Sequence, residues 1–299
     1  MCEPFKTNSQ IEWSPIWSLT NQSVKYLPTE YLYYYYQDQT NSSRFCYPDS
    51  NGNAAGNTLE EAILQGFFEL VERDAIAIWW YNRLQKPAVS LASFDNPYFL
   101  KIREKYKRKQ RDLWVLDLTH DLTIPTFAAI SKKTCDKNES IILGFGCHFD
   151  ANIAISRALT EMNQMLVSAN HIENQPSQNI DSIFYEWLKY ASTLQQSYLL
   201  PNTNQMSKTM TDYPFLTEGN LLADLHQCRA IVEKKNIEFL VLNQTRPEVG
   251  LSVVKVLCPG LRHFWTRFAP GRLYNVPVEM GWLKKPLNEN ELNPIPIFF

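Results

Sequence analysis

Apolar residues recur every three to four positions in two long stretches of the chain, and this spacing predicts two amphipathic helices. In the first stretch, Thr58 and Glu61 have the spacing of a capping box, so a helix is expected from 59 towards 83. In the second stretch, Asp150 is suited to be the N-cap of a helix that ends near Ala169. The same period over shorter stretches predicts helices at 181–197 and 221–235.

Short apolar runs rich in β-branched and aromatic residues predict strands. Five such runs lie at 113–118, 127–131, 140–146, 239–243 and 251–258. A sixth run contains tyrosines at 33–36 (EYLYYYYQ) and predicts a strand packed on both faces. Base stacking is the alternative for these tyrosines, and the lack of flanking basic residues argues against it.

The remaining segments are typical of turns and loops. Residues 48–57 (PDSNGNAAGN) form a turn-rich stretch directly before the first helix. Residues 170–180 and 200–214 are expected to be surface loops. Helices that alternate with strands predict an α+β (mixed α/β) fold whose sheets are covered by helices.

Charge and composition exclude several classes of function. The chain has 299 residues, and 29 basic against 31 acidic side chains give a net charge of −2. This balance provides no field that would attract nucleic acid or an anionic membrane, so neither is expected as a partner. The N-terminus lacks the pattern of a signal peptide, and no apolar run is long enough to span a bilayer. A cytoplasmic location is therefore expected.

Cysteine and histidine patterns argue against zinc and disulfides. The six cysteines are scattered without a CxxC pair, and the five histidines include no HExxH. We expect reduced thiols rather than a disulfide framework in a chain of this length.

The first long helix is expected to carry an acidic face. Glu69, Glu72 and Arg73 lie at i, i+3 and i+4, with Gln65 one turn earlier on the same face. The apolar residues of the opposite side can face a core. These are Phe67, Leu70, Val71 and Ala75.

The second long helix repeats this arrangement. Arg157, Glu161 and Gln164 follow i, i+4 and i+7 along one face. The apolar stripe of this helix is formed by Leu159, Met162 and Leu166.

Two interpretations of the acidic faces stay open from spacing alone. Magnesium takes oxygen ligands, commonly one or two carboxylates completed by water and phosphate, so Glu residues from two helices can converge on such ions. Arg73 and Arg157 can then balance the carboxylates or bind phosphate. The alternative is a solvated helix face with modest ion pairs. The chain has no GxxxxGK[ST] phosphate loop and no kinase signature.

Longer motifs resemble the YcaO family, in particular the azoline-forming cyclodehydratases. The stretch 50–80 (SNGNAAGNTLEEAILQGFFELVERDAIAIWW) is similar to the central signature of that family. The resemblance continues through 11–20 (IEWSPIWSLT), 156–164 (SRALTEMNQ) and 243–282, which begins NQTRPEVGLSVVKVLCPGLRHFW. It covers nearly the whole chain and implies one YcaO domain over 1–299 that lacks part of the usual N-terminal region.

The resemblance implies an ATP- and Mg2+-dependent enzyme without a P-loop. In the azoline-forming members, a Cys, Ser or Thr side chain of a precursor peptide attacks the preceding carbonyl. Phosphorylation of the resulting oxygen then creates a leaving group, and loss of phosphate completes the ring. Catalysis of this kind relies on positioning and on charge neutralisation.

The resemblance also implies roles for individual residues. Glu69, Glu72 and Glu161 match the acidic motifs and are expected to bind magnesium, with Gln164 on the metal or its water shell. Arg73 completes an ExxER motif, and Ser156 belongs to the second motif. Phosphate contacts are expected from Arg157, Arg262 and Arg267, for which ion pairs with neighbouring carboxylates are the alternative.

The C-terminal tail departs from the family pattern. Azoline-forming members end in PxPxP, a tail implicated in organising the active site, whereas this chain ends NPIPIFF. Pro294 and Pro296 are in place and are expected to contribute to catalysis, while Phe298 stands where a third proline is usual.

The resemblance further implies a homodimer and a separate leader-peptide-binding partner protein that delivers the precursor peptide. Two other functions stay open. One is a YcaO enzyme that forms thioamides or amidines, and the other is a catalytically impaired scaffold that binds a peptide or a partner.

Overall fold

The computed structural model describes residues 4, 5, 8, 10–36, 45–174, 182–217 and 219–298. Expectations that involve Cys2, Phe299 or residues 175–181 lie outside this part of the chain. The helices are α1 Thr29–Leu32, α2 Leu59–Tyr81, α3 Pro97–Arg108, α4 Ala151–Asn174, α5 Ser182–Tyr190, α6 Leu221–Glu233 and α7 Arg272–Glu279. The strands are β1 Trp13–Ser18, β2 Ser23–Pro28, β3 Asn53–Gly56, β4 Arg111–Asp117, β5 Thr126–Lys133, β6 Ile142–Cys147, β7 Leu240–Asn243 and β8 Ser252–Leu257.

The chain divides into two compact units. The first consists of Met1–Leu70 with Glu218–Leu261, and the second of Val71–Thr217 with Arg262–Phe299. Helix α2 contributes residues to both units. Antiparallel sheets and helices in each unit confirm the predicted α+β class. No helix within the described ranges is long and apolar enough to cross a membrane.

The first unit is built on a five-stranded antiparallel sheet in the order β2-β1-β7-β8-β3. The first half of α2 packs against the unit's core, where the rings of Phe67 and Phe239 stack at 5.0 Å. Strand β3 pairs with β8 through four residue pairs, from Asn53 opposite Lys255 to Gly56 opposite Ser252. This pairing fixes the chain directly before α2.

The second unit contains a three-stranded antiparallel sheet in the order β4-β5-β6. Helix α4 lies directly against β6 because two glycines of that strand leave room for its backbone. A Cβ atom on Gly144 would lie 2.1 Å from the Met162 nitrogen, and one on Gly146 would lie 2.0 Å from the Ala154 carbonyl oxygen. The second half of α2 is buried in the same unit, including Trp79 and Trp80.

The caps of both long helices are close to those predicted. Thr58 Oγ1 accepts the Glu61 N–H at 3.2 Å, which is half of the capping box. The Glu61 carboxylate accepts the N–H of Asn57 at 2.8 Å. At the second helix, Asp150 Oδ1 accepts the Asn152 N–H at 2.8 Å, which confirms Asp150 as its cap.

Several predicted elements differ from the structure. The strand at 33–36 is wrong, because this stretch follows α1 as a turn in which Tyr35 has φ 58° and is 96% exposed. Local β-propensity fails here because none of the described strands pairs with these tyrosines. The turn-rich segment 48–57 contains β3, helix α4 continues past 169 to 174, and α5 ends at 190 rather than 197. The sequence pattern also missed β1, β2, α3 and α7.

Candidate functional site

The predicted acidic face of α2 is half-buried. Gln65, Glu69, Glu72 and Arg73 all have intermediate exposure, while Phe67, Leu70, Val71 and Ala75 are buried. A fully solvated face would leave long charged side chains mostly exposed. The face is therefore enclosed enough to hold its carboxylates in a restricted environment.

Glu69 belongs to the first unit and is held by the turn before β3. Its Oε2 accepts the main-chain N–H of Gly52 at 3.0 Å. The fully buried Lys255 lies nearby, with Nζ donating to the Asp49 carbonyl oxygen at 2.5 Å. Burial lowers the pKa of Lys255, and the charges of Asp49 and Glu69 partly oppose this shift. Glu69 thus contributes to the electrostatic environment of a buried cation.

Glu161 and Arg157 belong to the second unit and project from α4 towards β6. The Glu161 carboxylate accepts the main-chain N–H of Phe145. Arg157 Nη1 donates to the Cys147 carbonyl oxygen at 3.2 Å. The close packing allowed by Gly144 and Gly146 brings both side chains onto this strand.

The negative charge of Glu72 influences Cys147, the last residue of β6. Burial raises the pKa of the Cys147 thiol, the negative charge of Glu72 raises it further, and Arg157 opposes the shift. Glu161 from α4 is therefore bound to β6, and the charge of Glu72 from α2 lies close enough to influence Cys147 of the same strand, although 89 positions separate the two glutamates in the sequence.

The other residues predicted on α4 are placed less tightly. The Ser156 carbonyl oxygen accepts the Thr160 hydroxyl at 2.9 Å, and the residue has intermediate exposure. Gln164 is exposed near the middle of the helix.

Residues 262–268, here called the arginine segment, pack on α2 in the second unit. The Arg262 N–H donates to Asp74 Oδ1 at 2.7 Å, and the Tyr81 hydroxyl donates to the Phe264 carbonyl oxygen at 2.6 Å. The Arg73 guanidinium lies 4.2 Å from the centre of the Phe264 ring. The arginine segment thus contacts two consecutive residues of α2, Arg73 and Asp74.

Within the arginine segment, both arginines are restrained. The Arg262 guanidinium donates to the Arg267 carbonyl oxygen. The Arg267 guanidinium lies 5.0 Å from the Trp265 ring centre. Such contacts lower the entropy that these side chains would lose on binding an anion.

An ion cluster beside this segment was missed by the sequence pattern. Asp74 is fully buried and is bound by Arg272, which also binds Asp121, with Nη2–oxygen distances of 2.7 and 2.6 Å. Burial lowers the pKa of Arg272, but the two carboxylates outweigh burial and hold it above its usual value. One signal was available: Asp74 directly precedes an apolar run (AIAIWW), and a buried carboxylate requires a partner.

The C-terminal tail is anchored in the second unit. The Trp80 indole donates to the Ile295 carbonyl oxygen at 2.7 Å, and the Asn293 N–H donates to the Tyr81 carbonyl oxygen at 2.8 Å. Pro294 is exposed and Pro296 is half-buried. Phe298 is 8% exposed and packs against Trp187 and Phe184, with ring centres at 4.9 and 5.1 Å. The residue that departs from the family tail therefore has a packing role.

Across the described ranges, no three His, Cys, Asp or Glu side chains are grouped closely enough to hold a metal ion on their own. This is compatible with magnesium chemistry, because Mg2+ commonly uses one or two carboxylates and completes its shell with water and phosphate oxygens.

Comparisons with solved structures show two similar heterocyclases. One, in complex with substrate and cofactor, is 51% identical with a TM-score of 0.94, over 99% of this chain and 39% of that chain. The heterocyclase TruD is 48% identical with a TM-score of 0.90, over 100% of this chain and 41% of that chain. The chain thus spans about two fifths of the length of each heterocyclase.

A more distant structure shares the fold. YcaO from Methanopyrus kandleri, bound with AMPPCP and Mg2+, is 20% identical with a TM-score of 0.66, over 88% of this chain and 68% of that chain. A family model described as YcaO cyclodehydratase, ATP- and Mg2+-binding, matches residues 1–262. These findings confirm the resemblance drawn from the motifs, and the chain belongs to the YcaO cyclodehydratase family.

Proposed function

We propose that this chain is the ATP- and Mg2+-dependent part of an enzyme that converts Cys, Ser or Thr residues of a precursor peptide into azolines. The observation that carries this proposal is the 51% identity, over 99% of the chain, to a heterocyclase in complex with substrate and cofactor. The matched 99% of the chain spans helices α2 and α4, which carry the acidic motifs, and shared chemistry is the simplest explanation for a likeness of this extent.

Glu69, Glu72 and Glu161 are proposed as magnesium ligands, with one or two of these carboxylates on each ion and water and phosphate oxygens completing the shell. Their oxygen donors are the type that Mg2+ prefers, and all three have intermediate exposure. Main-chain N–H groups hold two of these carboxylates, through Gly52 for Glu69 and Phe145 for Glu161. Ligands restrained in this way are suited to a metal bound with its substrate phosphates. Gln164 is proposed for the surrounding water shell.

Four arginines are proposed to contact the phosphates. Arg73 packs on Phe264 of the arginine segment, and Arg262 and Arg267 belong to that segment. Arg157 projects from α4 beside Glu161. Guanidinium groups bind phosphate oxygens bidentately and neutralise the charge that develops during transfer. Ser156, one residue before Arg157, is proposed to complete this contact.

ATP supplies the chemistry of the leaving group, because a phosphorylated amide oxygen departs as phosphate whereas an amide oxygen does not. The protein's own contribution is to bind and orient the charged groups and to keep water away from them. The tail with Pro294 and Pro296 is proposed to contribute to the catalytic site, and its anchoring by Trp80 fixes its course in the second unit.

The proposed partners are a precursor peptide and a leader-peptide-binding protein, and the proposed assembly is a homodimer in the cytoplasm. The M. kandleri structure binds AMPPCP and Mg2+, and the first heterocyclase binds substrate and cofactor. These bound ligands belong to those two proteins, and they support the proposal that this chain also binds a nucleotide with Mg2+ and a substrate.

Activity is tested with a precursor peptide that contains Cys, Ser and Thr residues, a leader-binding partner and MgATP. We expect phosphate release that depends on the peptide, together with loss of one water from the peptide mass for each ring. A peptide with alanine at every Cys, Ser and Thr is the control and should release no phosphate above background. Nucleotide binding without any peptide-dependent phosphate release would favour a scaffold. Sulfur incorporation in place of water loss would indicate thioamide formation.

A further inference from the structure

Arg272 occupies an unusual position between two carboxylates of the second unit. Its Nε lies 3.2 Å from Asp74 Oδ1 and 3.0 Å from Asp74 Oδ2, and its Nη2 lies 2.7 Å from the same Oδ2. On the other side, Nη1 and Nη2 bind Asp121 at 3.1 and 2.6 Å. Arg272 thus uses its planar fork on both partners, which lysine cannot imitate.

His120 closes the cluster. Its Nδ1 accepts the Leu122 N–H at 3.2 Å and lies 3.2 Å from Asp121 Oδ1. Its Nε2 lies 3.4 Å from Asp74 Oδ2. The side chains of Asp74, Asp121 and His120 are at most 4% exposed. The cluster is therefore fixed inside the unit rather than solvated at its surface.

Asp74 links this cluster to the proposed phosphate site. The oxygen that binds Arg272 Nε, Oδ1, also accepts the Arg262 N–H at 2.7 Å. Asp74 directly follows Arg73 in α2, so its orientation is coupled to the helix that carries Glu72. The contacts form a continuous path from Asp121 through Arg272 and Asp74 to Arg262.

We propose that Arg272 is a positioning residue that acts through Asp74 to place the Arg262 guanidinium for phosphate binding. This inference rests on the proposed function, since it deepens the same nucleotide site. Arg272 orients the Asp74 carboxylate, Asp74 holds the Arg262 main chain, and this sets where the Arg262 side chain begins. Arg272 itself contacts no nucleotide.

The alternative is that Arg272 has a purely structural role. A buried ion cluster often adds little net stability, but loss of one of its partners strongly destabilises the protein, so a change at Arg272 would lower stability in either case. Stability alone therefore cannot separate the two roles. A positioning role predicts that the effect of changing Arg272 on nucleotide affinity requires the Arg262 side chain. A structural role predicts no such dependence.

The test measures the affinity of the full chain for AMPPCP with Mg2+ by calorimetry, and its stability by urea unfolding. The variant is Arg272→Lys, alone and combined with Arg262→Ala. The matched control is Arg111→Lys, because Arg111 is also buried in the second unit and donates to Ser131 and Ser140. Asp121→Asn is a milder second variant that leaves the Asp74–Arg272 contact in place.

We expect Arg272→Lys to weaken AMPPCP binding about fivefold or more relative to Arg111→Lys, which is within the coupling found between contacting residues. In the Arg262→Ala background, the same change should alter affinity by less than about twofold. Asp121→Asn should show the same dependence on Arg262 with a smaller effect. Equal losses of affinity in the presence and absence of the Arg262 side chain would overturn the proposal.

The failure of this inference is distinguishable from failure of the proposed function. If Glu72→Gln weakens AMPPCP binding while Arg272→Lys behaves like Arg111→Lys, the positioning role is wrong and the nucleotide site stands. If Glu72→Gln leaves binding unchanged, the proposed site itself is wrong. If Arg272→Lys does not fold, Asp121→Asn decides by the same comparison with and without the Arg262 side chain.

Discussion

The Trp80 indole N–H donates to the Ile295 carbonyl oxygen at 2.7 Å, so the final residues of the chain are tied to the second half of α2. Phe298 lies three residues further on and enters an aromatic cluster with Phe184 and Trp187. The tail of this chain is therefore a packed element despite its departure from the family's proline pattern.

This packing predicts that Phe298→Ala lowers the free energy of unfolding by about 3–5 kcal/mol, the usual cost of removing a buried Phe side chain. Phe298→Leu, which keeps much of the volume, should cost clearly less. Urea unfolding of the full chain measures both. Leu194→Ala is the control, since Leu194 is 90% exposed, and it should change stability by no more than about 0.5 kcal/mol. A Phe298→Ala protein as stable as this control would contradict the packing role.

The contact between α4 and β6 predicts a second effect. In Gly146→Ala, the new Cβ would lie 2.0 Å from the Ala154 carbonyl oxygen, so α4 must move away from the strand. We expect a stability loss of about 1–3 kcal/mol, as for other overpacked sites. Because α4 carries Glu161 and Arg157, AMPPCP affinity should fall as well.

Gly250→Ala separates this steric effect from a general cost of replacing glycine. Gly250 has φ +71°, but a Cβ added there would have no atom within 4 Å. Backbone strain should cost about 1 kcal/mol there, and AMPPCP affinity should stay at the wild-type value. Equal affinities for the two glycine variants would show that the α4–β6 spacing does not position the site.

Lys86 predicts a pH dependence of stability. It is 5% exposed, and its Nζ lies 3.4 Å from the centre of the Trp282 ring. Burial lowers its pKa to about 8, an effect that Asp117 opposes and Lys208 reinforces. Between pH 8 and the ordinary pKa of 10.5, the unfolded chain binds this proton and the folded chain does not. Stability from this group therefore rises with pH across that window.

The difference in unfolding free energy between wild type and Lys86→Met isolates this contribution from buried thiols and tyrosines that titrate nearby in pH. We measure this difference at pH 7.5, 8.5 and 9.5, which are about 0.5 below, about 0.5 above and about 1.5 above the lowered pKa. Above pH 8, the free energy of unfolding of wild type should rise relative to that of the variant by up to about 1.4 kcal/mol per pH unit. A constant difference over this range would contradict the lowered pKa of Lys86.

The elements in which apolar residues recur regularly over a long stretch, namely the two long helices, could be predicted from the sequence. Thr58 and Asp150 marked the starts of α2 and α4, and the apolar stripes of both helices are largely buried as expected. The carboxylate faces followed from the same period. Strand β3 was not predicted, because its stability comes from pairing with β8, which lies far away in sequence.

The ion cluster of Asp74, Asp121 and Arg272 also could not be predicted, because its residues are far apart in the sequence. Arg272 lies 198 residues from Asp74 and 151 from Asp121, so no local pattern connects the three. The tyrosines at 33–36 show the opposite error, since their strong local β-propensity is not matched by a pairing strand in the described part of the chain. The local spacing of residues predicted the positions of the carboxylates. The residues that contact these carboxylates could be identified only from the three-dimensional structure.

The most direct test of the nucleotide site is the affinity of the full chain for AMPPCP with Mg2+, compared among wild type, Glu72→Gln and Glu60→Gln. Glu60 lies on α2 away from the face of Glu69 and Glu72, so it controls for loss of one negative charge on this helix. We predict that Glu72→Gln weakens binding by at least about tenfold, a loss that even changes to outer-shell partners of a metal produce. Glu60→Gln should bind like wild type. Equal affinity for all three proteins would contradict the account.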